Sequence, residues 1–171
     1  MSGLARLNAL PEKQAEAALL TCCGSREWAR RMAAMRPFLT EPILLAAAHE
    51  VWWSLDRAAW LEAFRSHPRI GERKAEAGQT AREQAWSRGE QSGMDAAAEQ
   101  TRHAIAELNR RYEERFGYIY LVCASGRSAD ELLSILEQRL QNSPDAEIMV
   151  AAEEQAMITR LRLQKLLDAA E

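Results

Sequence analysis

The sequence is poor in the residues that interrupt regular structure, with 8 glycines and 5 prolines among 171 positions. Alanine and leucine are frequent instead, and apolar side chains recur at helical spacing along most of the chain. The length suits one domain with its own hydrophobic core. We therefore predict an all-α, single-domain, multi-helix bundle over residues 1–171.

Cysteine is rare as well, and the 3 cysteines do not form a disulfide framework. Cys22 and Cys23 are adjacent and Cys123 is distant, an odd set that suits a reducing compartment. The first ten residues are too weakly apolar for a signal peptide. We therefore expect a cytoplasmic protein.

Long apolar runs and a large excess of charge are also lacking. The sequence has no run of about 18 apolar residues, the length that a transmembrane helix needs. The formal net charge of -3 and the pI of about 5.7 exclude a general attraction to nucleic acid or to anionic lipid. Any anion-binding site must therefore be local.

Histidine is scarce, and its spacing argues against a zinc site. The 3 histidines, His49, His67 and His103, lie far from one another and from cysteine, whereas zinc ligands usually come in close pairs. His49 lies in an apolar run and His103 on a polar helix, so both are interpreted as structural or surface residues. Glycine-rich phosphate loops and nucleophile elbows are missing too.

Start and stop signals divide most of the chain into helices. We predict them at 11–23, 26–36, 42–64 with an interruption near 54–56, 98–116, 129–141 and 144–167. Ser128 and Glu131 have the spacing of a capping box. Ser143 and Pro144 combine a cap with a proline at the first helical position.

Two segments do not follow this helical pattern. Residues 118–124, YIYLVCA, are interpreted as a buried extended connection, because a lone strand would have no partner. Residues 66–95 are polar and contain several glycines, which predicts a long loop with short helical turns. Long loops in compact domains often carry function.

His67 lies where one predicted helix stops. Pro68 disfavours the α conformation at the residue before it, so the helix should end there and the imidazole should project into the loop. Because histidine titrates near neutrality, His67 is a candidate general acid or base. The alternative is a purely structural role at the helix end.

A second group of polar residues lies in TAREQAWSRGEQSGM, residues 80–94. Thr80 and Glu83 have capping-box spacing. Ser87, Glu90 and Gln91 follow at i, i+3 and i+4, which puts a hydroxyl, a carboxylate and an amide on one face of a helix. That face is either part of a polar site or a solvated surface.

Five blocks follow one another along the chain: LNALP, SHPRIG, SRGEQSGM, LNRRYEERFGYIYLVCASGRSADELL and RLRLQKLL. Together, and in this order, they resemble the OHCU decarboxylase family. Enzymes of that family convert 2-oxo-4-hydroxy-4-carboxy-5-ureidoimidazoline to (S)-allantoin, the last step from urate. The resemblance implies an all-α fold, a homodimer, and a reaction that uses neither a metal nor an organic cofactor.

The resemblance also implies roles for individual residues. His67 matches the catalytic histidine, and Glu90 matches the glutamate that assists it. The positions that match substrate-binding residues are Pro68, Ser87, Gln91, Ile119, Tyr120, Leu121, Val122, Cys123 and Arg162. In the run 119–123 backbone groups would hold the imidazoline ring, and Arg162 would bind an anion.

Some assignments have competitors. A second Glu-Gln pair at 83–84 competes with Glu90, whose assignment depends on Ser87 lying three residues before it. Arg160 competes with Arg162. The residues after the glycine of the fourth block are Tyr-Ile-Tyr, where the family often has Phe-Pro-Phe.

Two other classes of function fit parts of the sequence. A helical protein-interaction module would use the amphipathic helices at 98–116 and 144–167. A metal-dependent hydrolase acting on a related ureide is the other alternative, and sensitivity to a chelator would separate it from a decarboxylase without cofactor.

Overall fold

Ten helices follow one another in residues 1–71, 80–95 and 99–169, the part of the chain that a computed structural model describes. They are α1 (Gly3–Ala9), α2 (Glu12–Leu20), α3 (Arg26–Ala34), α4 (Glu41–Trp53), α5 (Arg57–Arg65), α6 (Ala81–Glu90), α7 (Ser92–Asp95), α8 (Glu99–Phe116), α9 (Ala129–Arg139) and α10 (Pro144–Asp168). These ranges contain no strand, which confirms the all-α prediction. None of their helices combines the length and apolar character that a membrane crossing needs.

The chain divides into two compact units, and unit 1 has an apolar centre. Unit 1 comprises Met1–Ala63 and Ala156–Glu171. Its most deeply buried side chains include Leu19, Trp28, Met32, Leu44, Trp52 and Leu163. The indole nitrogen of Trp28 donates to the carbonyl of Ala48 at 3.1 Å, so the one polar atom of this large side chain is satisfied inside the core.

Unit 2, which comprises Phe64–Gln155, combines an aromatic core with buried polar groups. Helix α8 buries Ile105, Tyr112 and Phe116, three members of one helical stripe. The ring of Tyr112 lies 4.7 Å from that of Phe116 and 5.6 Å from that of Tyr120, measured between centroids. The prediction of one domain over residues 1–171 stays a prediction.

Local capping signals position most helix starts. The boxes at Thr80 with Glu83 and at Ser128 with Glu131 both form, so α6 and α9 begin where these pairs indicate. Helix α10 begins at Pro144, and the Ser143 hydroxyl accepts from the backbone of the third residue after it at 3.3 Å. Residues 118–124 run between α8 and α9 without helix or strand, as expected.

The structure differs from the predictions in two places. Helix α1 was not expected; the Ser2 hydroxyl caps it by accepting from the Ala5 amide at 3.2 Å. The stretch 66–95 was expected to be mostly loop, yet α6 has ten residues. The sequence of α6 has only a weak apolar pattern, since the residue that this helix buries is the polar Ser87. The capping box of Thr80 and Glu83 nevertheless starts the helix.

Candidate active site

His67 is a buried histidine at the end of α5. The backbone amide of His67 donates to the Phe64 carbonyl at 3.3 Å, and Pro68 prevents the helix from continuing. His67 is only 5% exposed. We expected its imidazole to project into the loop, but the side chain is buried instead. Its Nε2 lies 2.7 Å from Oε1 of Gln155 on α10, 88 residues away along the chain.

Two hydrogen bonds and a glycine conformation fix the loop that follows His67. The Asn109 side-chain nitrogen donates to the Ile70 carbonyl at 3.3 Å. The Gly71 amide donates to Oε1 of Gln91 at 2.9 Å. Gly71 has a φ of +86°, a left-handed conformation that favours glycine. The contact with Gly71 places Gln91 next to the loop that follows His67.

Arg69 supplies a further anchor for this loop. Its guanidinium donates to both carboxylate oxygens of Glu113 on α8, at 2.9 and 2.8 Å. This bidentate geometry is the strongest form of the arginine–carboxylate contact. The charge of Arg69 is thereby paired beside the loop.

Helix α6 carries Ser87 and Glu90 and ends at Gln91. Ser87 is buried and Glu90 is half-buried. The backbone amide of Gln91 donates to the Ser87 carbonyl at 3.2 Å. The competing Glu83 has a local structural role, because its carboxylate accepts from the Thr80 amide at 2.7 Å. That capping contact accounts for the first Glu-Gln pair and favours Glu90 as the functional glutamate.

The extended segment 118–124 is held by side chains from α9 and α10. Arg139 donates to the Leu121 carbonyl at 2.6 Å, and the Cys123 amide donates to Oε2 of Glu154 at 2.8 Å. The Tyr120 hydroxyl donates to the Leu132 carbonyl at 3.0 Å. Tyr120, Leu121 and Val122 are buried, while Ile119 and Cys123 are half-buried.

Arg139 is itself held in a buried ion pair. Its guanidinium lies 2.6 Å from Oε1 of Glu147, and the two side chains are 6% and 0% exposed. The same carboxylate accepts from the Tyr112 hydroxyl at 2.5 Å and from the Asn142 amide nitrogen at 2.9 Å. Burial raises the pKa of Tyr112, so its hydroxyl stays a donor. This network fixes the backbone at Leu121.

Cys123 is a half-buried thiol in the extended segment. Burial raises the pKa of the Cys123 thiol, and the carboxylates of Glu154 and Glu90 raise it further. A thiol in such surroundings stays protonated at neutral pH and is a poor nucleophile.

Arg162 lies in unit 1 and is 4% exposed. One of its terminal nitrogens donates to the Thr21 carbonyl at 3.4 Å. Its charge lowers the pKa of the neighbouring Cys23, but burial dominates and raises that pKa to about 11. The competing Arg160 is exposed. The anion-binding role of Arg162 stays a prediction.

Gln155, Glu154 and Asn109 were not singled out from the sequence. Gln155 had a usable signal: it lies three residues after Ala152 and four before Thr159, on the stripe of α10 that faces inward. A polar side chain at an apolar position of a buried stripe requires a partner. The partner, His67, could not be read from local sequence.

Known proteins resemble the chain over most of its length. A model of the family described as OHCU decarboxylase matches residues 8–164. The chain is 38% identical over 149 residues to the uric acid degradation bifunctional protein TTL of Arabidopsis thaliana, which covers 85% of this chain and 45% of that protein. It is 34% identical over 134 residues to the 2-oxo-4-hydroxy-4-carboxy-5-ureidoimidazoline decarboxylase of Amia calva, with coverages of 77% and 75%.

A solved structure extends the similarity to the fold. The crystal structure of an OHCU decarboxylase in the presence of (S)-allantoin superposes with a TM-score of 0.72 at 34% identity. The match covers 88% of this chain and 96% of that one, which confirms the predicted fold type. The chain spans less than half of the Arabidopsis relative but three quarters of the Amia relative. On the family match and these similarities, the chain belongs to the OHCU decarboxylase family.

Proposed function

We propose that the chain decarboxylates 2-oxo-4-hydroxy-4-carboxy-5-ureidoimidazoline to (S)-allantoin in urate degradation, without a metal or organic cofactor. His67 is the acid and base, and Glu90 assists it. The observation that carries the proposal is the buried imidazole of His67, held 2.7 Å from Gln155 in the unit that also contains Ser87 and Glu90. An oriented imidazole is suited to proton transfer. Membership of the family supports the substrate and the reaction.

The chemistry of the substrate explains why side chains alone suffice. The carboxylate is attached to a ring carbon next to a carbon–nitrogen double bond, as in a β-keto acid. When the bond to carbon dioxide breaks, its electron pair enters that unsaturation and the ring nitrogen takes a proton. The hydroxyl then loses its proton to become a carbonyl, and the neighbouring ring carbon gains a proton on one face. The second proton sets the (S) centre.

His67 is placed in this scheme as the group that exchanges protons with the substrate hydroxyl and with the ring carbon. Glu90 orients the imidazole and tunes its basicity. The amide oxygen of Gln91 already accepts from Gly71, so its two amide hydrogens remain as donors toward a ligand oxygen. The Ser87 hydroxyl is proposed to bind a ureido or ring group.

The other substrate contacts are proposed from the family match. Pro68 and the backbone of Ile119, Tyr120, Leu121, Val122 and Cys123 contact the imidazoline ring. The Cys123 amide already donates to Glu154, so this residue offers its carbonyl and thiol instead. Arg162 binds an anionic or carbonyl oxygen.

Freshly generated substrate tests the reaction itself. The purified chain should accelerate the loss of the ultraviolet absorbance of the substrate, release carbon dioxide, and give (S)-allantoin in large enantiomeric excess. Prior treatment with a chelator should leave the rate unchanged. No acceleration, or a racemic product, would contradict the decarboxylase proposal. A rate abolished by the chelator and restored by a metal would favour the metal-dependent alternative.

A homodimer and a cytoplasmic location complete the proposal. The family resemblance supports the dimer, and the three free cysteines suit a reducing compartment. Light scattering on the purified protein should give about twice the chain mass of 19.3 kDa. A mass equal to that of one chain would contradict the dimer.

A further inference from the structure

Gln155 is a polar residue at one of the most deeply buried positions of helix α10. Ala151, Ala152 and Gln155 are all 0% exposed. An amide without a hydrogen bond in such a place destabilises the folded state. Its contact with Nε2 of His67, at 2.7 Å, offsets that effect. The position is thus specifically suited to a residue that bonds the histidine.

The chemistry of this contact defines which ring nitrogen carries a proton. The amide oxygen of Gln155 can only accept, so Nε2 of His67 must donate. In the neutral imidazole the lone pair then lies on Nδ1. A neutral amide holds the ring without adding a negative charge beside it.

We infer that Gln155 is a positioning residue for the decarboxylation, which holds the imidazole of His67 in place with its proton on Nε2. This inference rests on the proposed function, because it assigns His67 to proton transfer. It goes beyond the pairing of histidine and glutamate that the family resemblance implies. Gln155 acts through His67.

Unit 2 contains other charged groups, and their effect on the titration of His67 must be separated from that of Gln155. Arg69 is paired with Glu113 of α8, Glu90 lies on α6, and Glu154 of α10 accepts from the Cys123 amide. These groups stay in place when Gln155 alone is changed. A shift in the titration of His67 on substitution of Gln155 therefore reports on the amide contact.

Two substitutions of similar size separate the parts of the inference. Gln155→Met keeps the length of the side chain but removes the acceptor, and we expect kcat to fall about tenfold with a smaller change in KM. Gln155→Glu keeps an acceptor and adds a charge, which raises the pKa of His67 by about 1–3 units. The acidic limb of the pH–rate profile should move up by the same amount, with activity recovering at higher pH.

Matched controls are available on α9. Gln138 is exposed, so Gln138→Met and Gln138→Glu make the same chemical changes away from His67. Both should keep the rate and pH profile of the parent chain. Circular dichroism and thermal unfolding of all four variants identify any that do not fold, and a folded Gln155→Glu suffices if Gln155→Met is unstable.

Nitrogen-15 NMR of the histidine rings, with His67→Asn to assign the signals, tests the inference without substrate. We expect the neutral His67 to show a protonated Nε2 and an unprotonated Nδ1, with an Nε2 hydrogen that exchanges faster in Gln155→Met. A protonated Nδ1 would overturn the inference, as would a Gln155→Met variant with the parent kcat and pH limb. If the parent chain fails to decarboxylate the substrate, the proposed function fails instead, and the NMR result separates the two.

Discussion

The two units bury polar side chains to very different extents. Among the described residues, unit 1 buries Ser25, Thr159 and Arg162, whereas unit 2 buries His67, Ser87, Asn109, Arg139, Glu147, Glu154 and Gln155. Buried polar groups destabilise a fold unless each has a partner, so the second set needs a network of hydrogen bonds. Unit 1 relies on apolar packing around Trp28 and Trp52. Unit 2 holds its buried polar groups in fixed positions beside an aromatic core.

The largest expected effect comes from breaking the polar core of unit 2. Arg139→Met leaves Glu147 as a buried charge without its ionic partner, so the free energy of unfolding should fall by about 3–5 kcal/mol. Chemical denaturation measures it. Arg139→Met combined with Glu147→Leu should recover much of the loss. A double variant as unstable as the single one would contradict this reading of the pair.

The next effect concerns activity, and it compares two glutamates of α6. Glu90→Gln should lower kcat about 100-fold, because it removes the carboxylate proposed to assist His67. Glu83→Gln should keep nearly full activity, since glutamine also forms a capping box with Thr80. Steady-state kinetics on both variants decides between them. A larger loss in Glu83→Gln would reverse the assignment.

A smaller effect tests the close packing of unit 1. A Cβ on Gly3 would lie 1.8 Å from the carbonyl oxygen of Leu167, so Gly3→Ala should lower the free energy of unfolding by about 1–3 kcal/mol. Gly89→Ala is the matched control on α6, where no atom lies within 4 Å of the added Cβ. It should stabilise by about 0.5–1 kcal/mol, because alanine is the better helix former. Equal effects at both positions would contradict the packing argument.

The last effect is absent at neutral pH, appears only at alkaline pH, and concerns Cys23 in unit 1. Burial raises the pKa of its thiol from the ordinary 9.0 to about 11, so the folded state keeps a proton that the unfolded state loses first. The free energy of unfolding should therefore be unaffected below pH 9 and fall as the pH rises toward 11. In Cys23→Ala this part of the fall should be absent. An identical pH dependence in both proteins would show that the thiol is not protected by burial.

Local signals allowed much of the fold to be predicted, and long-range contacts limited the rest. The capping boxes at Thr80 and Ser128 depend on residues three positions apart, so the sequence alone reveals them. The ion pair of Arg139 with Glu147 and the contact of His67 with Gln155 depend on how helices pack. The second joins residues 88 positions apart.

The same distinction explains what could be said of the site. Pro68 correctly indicated that a helix stops close to His67, since α5 ends at Arg65, but it gave no sign that the imidazole would be buried. The blocks shared with the family pointed to the segments that contain His67 and Glu90. The capping contact of Glu83 with Thr80 gave the competing glutamate a structural role. The roles of individual residues in catalysis remain predictions to be measured.

The most direct test of the account is the rate of decarboxylation by His67→Asn, measured beside His49→Asn. His49 is exposed on α4, where its Nε2 accepts from the Trp53 indole at 3.0 Å, so its replacement controls for loss of a histidine. We predict that His67→Asn lowers kcat by about 100- to 10,000-fold while remaining folded, and that His49→Asn keeps the parent rate. A folded His67→Asn variant that forms (S)-allantoin at the parent rate would contradict the central claim.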